Sequence, residues 1–257
     1  MLPISVFLWL VFEGYNLVIR NWAYAGVPAP MWQRWPGYAA SFATVIPGIF
    51  VTSDLLQWLF GSRRSTAPSE RESLDDTPES APSHTFMAIG AILSTAPLFW
   101  PHTFFPAVWI GPIFLLDPLL EKLGVRSLSL SISSGDRSRA WSLIGGGLLC
   151  GGFWEFWNFW AASKWVYTVP YFQNWKIFEM PLLGFLGFPP FALECWIAYH
   201  MLSAVLRRLP STATRAVFWT AIGVFCLLMF HGIDRHTVLN FTEAHLRRVG
   251  PWAPGSF

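Results

Sequence analysis

The sequence predicts an all-α protein that crosses a membrane about seven times and folds as one domain over residues 1–257. Hydrophobic residues make up 53% of the chain and charged residues only 12%, whereas a soluble domain carries about 25% charged residues. The apolar residues also form long blocks rather than short core-sized runs. These observations argue against an ordinary cytosolic enzyme. The net charge of +2, with no basic stripe, predicts no nucleic-acid partner.

Seven apolar segments reach or approach the length of about 20 residues that a helix needs to cross a bilayer. The third is short and predicts a tight helical hairpin with the fourth. If the spans alternate in direction, ten of the 17 Lys and Arg residues lie on one side, which favours a cytoplasmic amino terminus. A polar stretch at 61–85, rich in Ser, Pro and acidic residues, predicts a flexible loop. The predicted spans are 2–19, 38–60, 86–100, 104–121, 141–162, 181–206 and 214–232.

The chain repeats a pattern after 142 positions, since Glu13 and Asn16 correspond to Glu155 and Asn158. Each Glu-x-x-Asn pair is followed by Trp-x-Tyr, then by Pro, and then by a Pro in the next predicted helix. Four predicted crossings separate the two copies, so both insert in the same direction. This predicts a parallel 3+1+3 repeat, in which binding sites lie at the interface between the halves. Repeat 1 covers about 2–100, the linking helix about 104–121 and repeat 2 about 141–232.

Three glutamates are the predicted catalytic acids: Glu13, Glu155 and Glu194. Ionisable groups inside a bilayer cost about 2.5–3.5 kcal/mol each, so they are candidates for function by default. Glu13 shares a helix face with Asn16, three residues away, and Glu155 shares one with Asn158. Each Asn is therefore expected to orient its acid or to bind substrate with it. The alternative is a buried polar clamp that only joins helices.

Further polar residues are candidates for substrate binding. Pro189-Pro190 predicts a bend that opens a cavity near Glu194. Glu179 stands at the start of the sixth predicted span, where the helix dipole favours an acid. His231 and Asp234 close the last span and suit a proton relay or a metal site, or simply the wetted interface. No cofactor motif appears, and neither a cofactor nor a metal is expected.

Aromatic residues make up 18% of the chain, including 16 Trp. Around Glu155 they occupy every side of the helix, so some must face inward, and Trp154 and Trp157 are expected to line a substrate cavity. Ring faces stabilise cations, which suits a carbocation formed by protonating a polyene. Other aromatic residues are expected to anchor the protein at headgroup depth, namely Trp22, Tyr24, Trp32, Trp35, Trp165, Tyr167 and Trp175.

The chain resembles the small seven-helix terpene cyclases of membranes, including the heterodimeric type of lycopene cyclase. Trp165-x-Tyr167 followed by Glu179-Met180-Pro181 is similar to the cyclase pattern of Trp ahead of a Pro-Glu-Glu cluster, although the adjacent acid pair is missing here. The resemblance implies a helical bundle that uses intramembrane acids as proton donors. It covers the whole chain in architecture, and no site residue is carried over from it alone.

Three functions follow from these patterns. The first is a membrane enzyme that cyclises or isomerises a lipophilic, isoprenoid-like substrate, with Glu155 or Glu194 as general acid. The second is a proton-coupled transporter or a membrane binding protein, since the three-one-three arrangement also resembles small sugar transporters of the SWEET type. The third is an accessory subunit whose acids tie helices together. The bilayer and a lipophilic small molecule are the expected partners.

Overall fold

A computed structural model of the protein describes residues 1–60, 84–171 and 175–240. The described chain is mostly helical, which confirms the main feature of the predicted class. Two pairs of short strands were not predicted. The helices are α1 Leu2–Ile19, α2 Met31–Ala43, α3 Val45–Phe60, α4 His84–Phe99, α5 Pro101–Phe104, α6 Gly111–Lys122, α7 Leu128–Ser133, α8 Ser138–Trp160, α9 Phe188–Arg208 and α10 Thr212–His236. The strands are β1 Trp22–Ala25, β2 Lys164–Tyr167, β3 Lys176–Ile177 and β4 Met180–Pro181, and 3₁₀ turns cover Phe105–Trp109 and Leu182–Gly187.

Five helical stretches among the described residues are long and apolar enough to cross a membrane. A sixth apolar helix, α4, is shorter. Large apolar side chains are exposed on these helices, as on α10 at Val224 and Leu228, which fits a surface in contact with lipid. The chain thus has the character of a multi-pass membrane protein. The five stretches are Leu2–Ile19, Met31–Phe60, Pro101–Lys122, Leu182–Arg208 and Thr212–His236.

Residues at the start of α10 and of α9 explain where these helices begin. In α10 the Ser211 hydroxyl accepts from the backbone N–H of Thr214, and the Thr214 hydroxyl accepts from the N–H of Ser211, which together form a capping box. Pro189 and Pro190 lie in the first turn of α9, where the missing N–H leaves no hydrogen bond unmade. The bend predicted from these prolines is therefore wrong, because they start the helix instead of interrupting it.

The segments between spans also differ from the sequence prediction in detail. Of the loop predicted at 61–85, residues 61–83 lie outside the described residues, while 84 and 85 begin α4. Asp117 lies within α6 and accepts from the backbone N–H groups of Leu128 and Ser129, at 2.8 and 3.0 Å. It thereby caps α7, so the polar segment after α6 is tied to the helical bundle.

The helices approach closely at glycines. A Cβ on Gly90 of α4 would overlap the backbone of Leu115 in α6, and one on Gly147 of α8 would overlap the carbonyl of Phe188. In a membrane, helix association depends on such van der Waals packing, because lipid is as apolar as the side chains. The α4–α6 contact agrees with the hairpin that the sequence predicts.

We expect Gly90→Ala to lower the free energy of unfolding by about 1–3 kcal/mol, since the added methyl group forces two backbones apart. The free energy can be measured by denaturant titration of the purified protein in detergent. Gly152→Ala is the matched control, because a Cβ there meets nothing within 4 Å and alanine favours the helix by up to about 1 kcal/mol. Equal stability losses in the two variants would contradict the close approach.

Candidate active site

A cavity of about 590 Å³ lies where the two sequence repeats meet. Its volume is in the range of about 300–1,000 Å³ that is usual for small-molecule sites. Both Trp-x-Tyr strands and parts of α2, α8 and α9 contribute to its wall. Its lining is rich in aromatic residues and includes Trp9, Trp22, Trp109, Trp154, Trp157 and Trp165.

The two Trp-x-Tyr segments pair as antiparallel strands beside this cavity. Trp22 lies opposite Tyr167, and Tyr24 lies opposite Trp165. The Trp position of each copy is therefore paired with the Tyr position of the other. The prediction that these four residues anchor at the membrane interface is wrong for Trp22 and Tyr24, which are 4% and 7% exposed. Trp32 and Trp175, at 74% and 76% exposed, fit that role.

Asn16 and Asn158 hold the two strands in equivalent ways. The Asn16 amide donates to the carbonyl of Trp22 at 2.8 Å, and its oxygen accepts from the backbone N–H of Trp22. Asn158 makes the same two bonds with Trp165, at 2.8 and 2.9 Å. Each Asn therefore orients the backbone of the strand whose side chains reach the Glu one helical turn away. Asn158 also lines the cavity.

Glu13 is fully buried behind the cavity wall. Its Oε1 accepts from the indoles of Trp9 and Trp22, each at 2.9 Å, and from the hydroxyl of Tyr24. All three donors line the cavity, whereas Glu13 does not. Its Oε2 has no hydrogen-bond partner among the described residues. These contacts make Glu13 a bridge between α1 and β1.

Glu155 is the equivalent acid of the second copy, and it does line the cavity. Its Oε1 accepts from the Tyr167 hydroxyl at 2.6 Å and from the Trp165 indole at 3.2 Å. Within the described part of the chain, its Oε2 has no hydrogen-bond partner. A buried carboxyl oxygen without a partner is costly, and Glu155 shares this feature with Glu13, since both are 0% exposed and both have an unpartnered Oε2 among the described residues.

The difference between the two acids comes from the residue one helical turn before each. Trp9 precedes Glu13 by four residues and donates to it, while the position four residues before Glu155 is Gly151. A Cβ at Gly151 would overlap the ring of Phe188. The third donor is thus absent in the second copy, and the space beside α8 is filled by α9. This leaves Glu155 facing the cavity, whereas Glu13 stays enclosed.

The two tyrosines serve as hydrogen-bond donors at neutral pH. Desolvation raises the pKa of Tyr167 well above its ordinary value of 10.0, and the nearby Glu155 raises it further. The pKa of Tyr24 is raised by the same two causes, desolvation and a neighbouring carboxyl group, which here is that of Glu13. Both hydroxyls therefore remain protonated and direct their hydrogens to the Oε1 atoms.

Two ion pairs lie at the polar part of the cavity wall, and the sequence reasoning missed their cations as site residues. Arg34 binds Asp234 through Nε at 2.7 Å and through Nη2 at 2.6 Å. Lys164 binds Glu179 at 2.5 Å. Arg34 and Lys164 both line the cavity. Lys164 corresponds to Asn21 of the first copy, which also lines the cavity, but the two residue types differ, so the repeated pattern did not mark this position.

Of the remaining predicted residues, Glu179 and Asp234 lie beside the main cavity as partners of Lys164 and Arg34, whereas His231 and Glu194 do not line it. Glu179 lies between β3 and β4 and does not begin a helix, although the sixth predicted span, 181–206, agrees with the apolar stretch Leu182–Arg208. His231 is exposed on α10, whereas Asp234 is turned toward α2, where it also accepts from Trp35 and Tyr38. Glu194 lines a second, smaller cavity.

The common metal-ligating side chains are not clustered in the part of the chain that the structure describes. No group of three or more His, Cys, Asp or Glu side chains there could hold an ion.

Comparison of the chain with protein-family models, with curated proteins and with solved structures finds no significant match.

Proposed function

We propose that the protein is an integral-membrane enzyme that cyclises or isomerises a lipophilic, isoprenoid-like substrate, with Glu155 as the general acid. The observation that carries this proposal is the contrast between the two copies of one motif. Each acid has an Oε2 without a hydrogen-bond partner among the described residues, but Glu13 accepts from three donors and does not line the cavity, whereas Glu155 accepts from two and lines it. A purely structural clamp would not require this difference.

The cavity lining supports a lipophilic substrate. Six indoles contribute to its wall, and both cations on the wall are neutralised by their own carboxylates, Arg34 by Asp234 and Lys164 by Glu179. An anionic headgroup would therefore find no unneutralised cation in these two pairs. A neutral hydrocarbon chain suits such a wall, and the ring faces would stabilise positive charge that develops on it, by about 2 kcal/mol or more in a desolvated site.

The contacts of Glu155 support acid catalysis. Since Tyr167 and Trp165 donate to Oε1, an acidic proton belongs on Oε2. Transfer of that proton to a carbon–carbon double bond would form a new C–H bond and leave a carbocation and the carboxylate. Loss of a proton from the cation back to the carboxylate would complete an isomerisation or cyclisation with no net change in atoms. General acids of this kind contribute about 10²–10⁴-fold to rate.

We also infer that the chain crosses the bilayer seven times in a 3+1+3 repeat with a cytoplasmic amino terminus. The repeat is supported by the matching bonds of Asn16 and Asn158, and the seven crossings by helices in all seven predicted segments, five of which are long and apolar enough to cross a membrane. The orientation rests on the distribution of Lys and Arg in the sequence. In this arrangement α1 and α8 are equivalent, and α6 links the halves. The cavity would then lie at the interface between repeats, as in other proteins built this way.

The proposal predicts that a side chain placed in the cavity abolishes binding and turnover. Gly37 lines the cavity, and a Cβ there meets nothing within 4 Å, so Gly37→Phe should fill the space without disturbing the helices. We expect loss of tryptophan-fluorescence quenching by an added acyclic polyprenyl or polyene compound. We also expect loss of the isomeric products, which are separated from the substrate by chromatography and recognised by their equal mass.

Gly223→Phe is the matched control for this experiment. Gly223 lies in α10, has open space around its Cβ position, and does not line the cavity. It should therefore keep both quenching and product formation. If wild-type protein forms no product from any polyene but still shows quenching that Gly37→Phe removes, the cavity binds lipophiles without transforming them.

A binding protein or proton-coupled transporter is the second candidate, and the observation that favours it is a further buried acid, Glu194, outside the main cavity. Transport predicts movement of an unaltered lipophile between vesicle leaflets or across them in response to a pH gradient. Chemical conversion of the bound compound would favour the enzyme instead.

A further inference from the structure

We propose that a second cavity, around Glu194, binds one small monovalent cation, either a proton or a sodium ion, independently of the lipophile site. This cavity has a volume of about 200 Å³ and lies among α1, α4, α6 and α9. Glu194 is 2% exposed and lines it. Neither carboxyl oxygen has a hydrogen-bond partner among the described residues.

A second unpartnered group lines the same cavity. The hydroxyl of Ser94 on α4 is buried and has no hydrogen-bond partner in the described chain. Tyr15 on α1 also lines the cavity, and its hydroxyl donates to the carbonyl of Ser94 at 3.0 Å. The lining thus includes three residues with side-chain oxygens, Glu194, Ser94 and Tyr15, on three different helices.

The surroundings of Glu194 supply no positive charge. Of the described residues that line this cavity, none is Lys, Arg or His. The titratable groups that line it with Glu194 are Tyr15 on α1 and Cys195 on α9, while α4 contributes Ser94 and α6 contributes Pro112, Leu115 and Leu116. An ionised carboxyl with no partner in such a place is very unfavourable. A bound proton or metal cation removes that penalty.

The available oxygens indicate a monovalent cation. A divalent ion such as Ca²⁺ takes six to eight oxygen ligands, commonly from several carboxylates, and this cavity offers one carboxyl group. A proton needs only Glu194 itself, with water or Ser94 as its hydrogen-bond partner. A sodium ion can combine the carboxylate with hydroxyl oxygens and water, much as transporters bind it between helices near the membrane midplane.

An aromatic wall separates this cavity from the main one. Phe12 lines the small cavity and stacks on Trp109 with ring centroids 5.1 Å apart, and it meets the ring of Phe191 edge-on at 5.3 Å. Trp109 and Phe191 line the main cavity. Glu194 is therefore not the partner of Glu155 in one site, and its occupancy can be tested separately.

The test is modification of the full-length protein in detergent with a lipophilic carbodiimide, which reacts with protonated carboxyl groups in apolar surroundings. Adducts are located by mass spectrometry of peptides, and Glu194→Gln must lose the adduct. Labelling of Glu194 that rises as pH falls and is unaffected by sodium would identify a proton site. Protection by sodium, but not by potassium at equal ionic strength, would identify a sodium site, and Ser94→Ala should then weaken the protection.

Two outcomes would overturn the proposal. One is labelling of Glu194 that depends on neither pH nor sodium, and the other is a Glu194 that stays unmodified over the whole pH range. The measurement is made on wild-type protein, so it does not require that Glu194→Gln folds. Glu155→Gln should show unchanged labelling of Glu194, which separates this proposal from the proposed acid catalysis.

Discussion

Glu155→Gln is expected to lower turnover of a polyene substrate by about two to four orders of magnitude. Glutamine keeps the shape of the side chain and an oxygen that can accept from Tyr167 and Trp165, which lie 2.6 and 3.2 Å from Oε1. It replaces the second carboxyl oxygen and its acidic proton with an NH₂ group that is far too weak an acid to protonate a double bond. Binding of the lipophile should persist, so the loss should appear in kcat more than in KM. Product formation under single-turnover conditions measures the effect directly.

Glu13→Gln provides the matched comparison, because it makes the same change in the other copy of the motif. Glu13 does not line the cavity and accepts from three donors, so we expect lower thermal stability but turnover per folded molecule within about tenfold of wild type, a difference of about 1.4 kcal/mol in the barrier. Equal losses of turnover in the two variants would contradict the assignment of different roles.

Asp234→Ala is expected to lower the free energy of unfolding by about 3–5 kcal/mol, as breaking a buried ion pair usually does. Asp234 accepts from Arg34, Trp35 and Tyr38, and the side chains of the Arg34–Asp234 pair are 8% and 15% exposed. Its removal takes away the carboxylate acceptor that a guanidinium, an indole and a phenol share, and it leaves α2 and α10 joined there by apolar contacts such as those of Tyr38 with Phe230. Denaturant titration in detergent, monitored by tryptophan fluorescence, measures the loss.

Asp54→Ala is the control for this ion pair. Asp54 contacts Arg139 at 2.6 Å, but its side chain is 64% exposed. Exposed pairs contribute about 0–1 kcal/mol, because solvent already stabilises both charges. A similar loss in the two variants would show that the Arg34–Asp234 pair contributes no more than a surface salt bridge. Loss of lipophile binding in Asp234→Ala at full stability would instead give the pair a direct role in the site.

The repeated motif illustrates how far sequence reasoning reached into the site. Glu-x-x-Asn and Trp-x-Tyr were identified as one recurring unit, but the sequence interpretation joined each Asn to its Glu and placed the Trp and Tyr at the membrane surface. In the structure the Trp and Tyr side chains donate to the Glu, and the Asn binds their strand backbone. The spacing of residues identified the members of the unit, whereas the path of the chain between α1 and β1 decided which groups meet.

The three predicted acids show what the sequence could not predict. Glu13, Glu155 and Glu194 are similar in sequence, since each interrupts an apolar helix. Their surroundings differ through distant residues: Trp9 for Glu13, the contact of Gly151 with Phe188 for Glu155, and Ser94 with Tyr15 for Glu194. Such neighbours are set by how helices rotate and pack against one another, which an apolar sequence pattern leaves open.

The amino-acid sequence by itself determined that the chain is helical and apolar enough for a membrane. The hydrophobicity of a long segment is the sum of the contributions of its residues and does not depend on what the segment packs against. The sequence also determined that one motif occurs twice. The tertiary structure alone decided which copy opens onto the cavity, that Arg34 and Lys164 are already neutralised there, and that Glu194 has a cavity of its own. These features arise from contacts between residues far apart in the chain, and their energies depend on geometry that no single segment encodes.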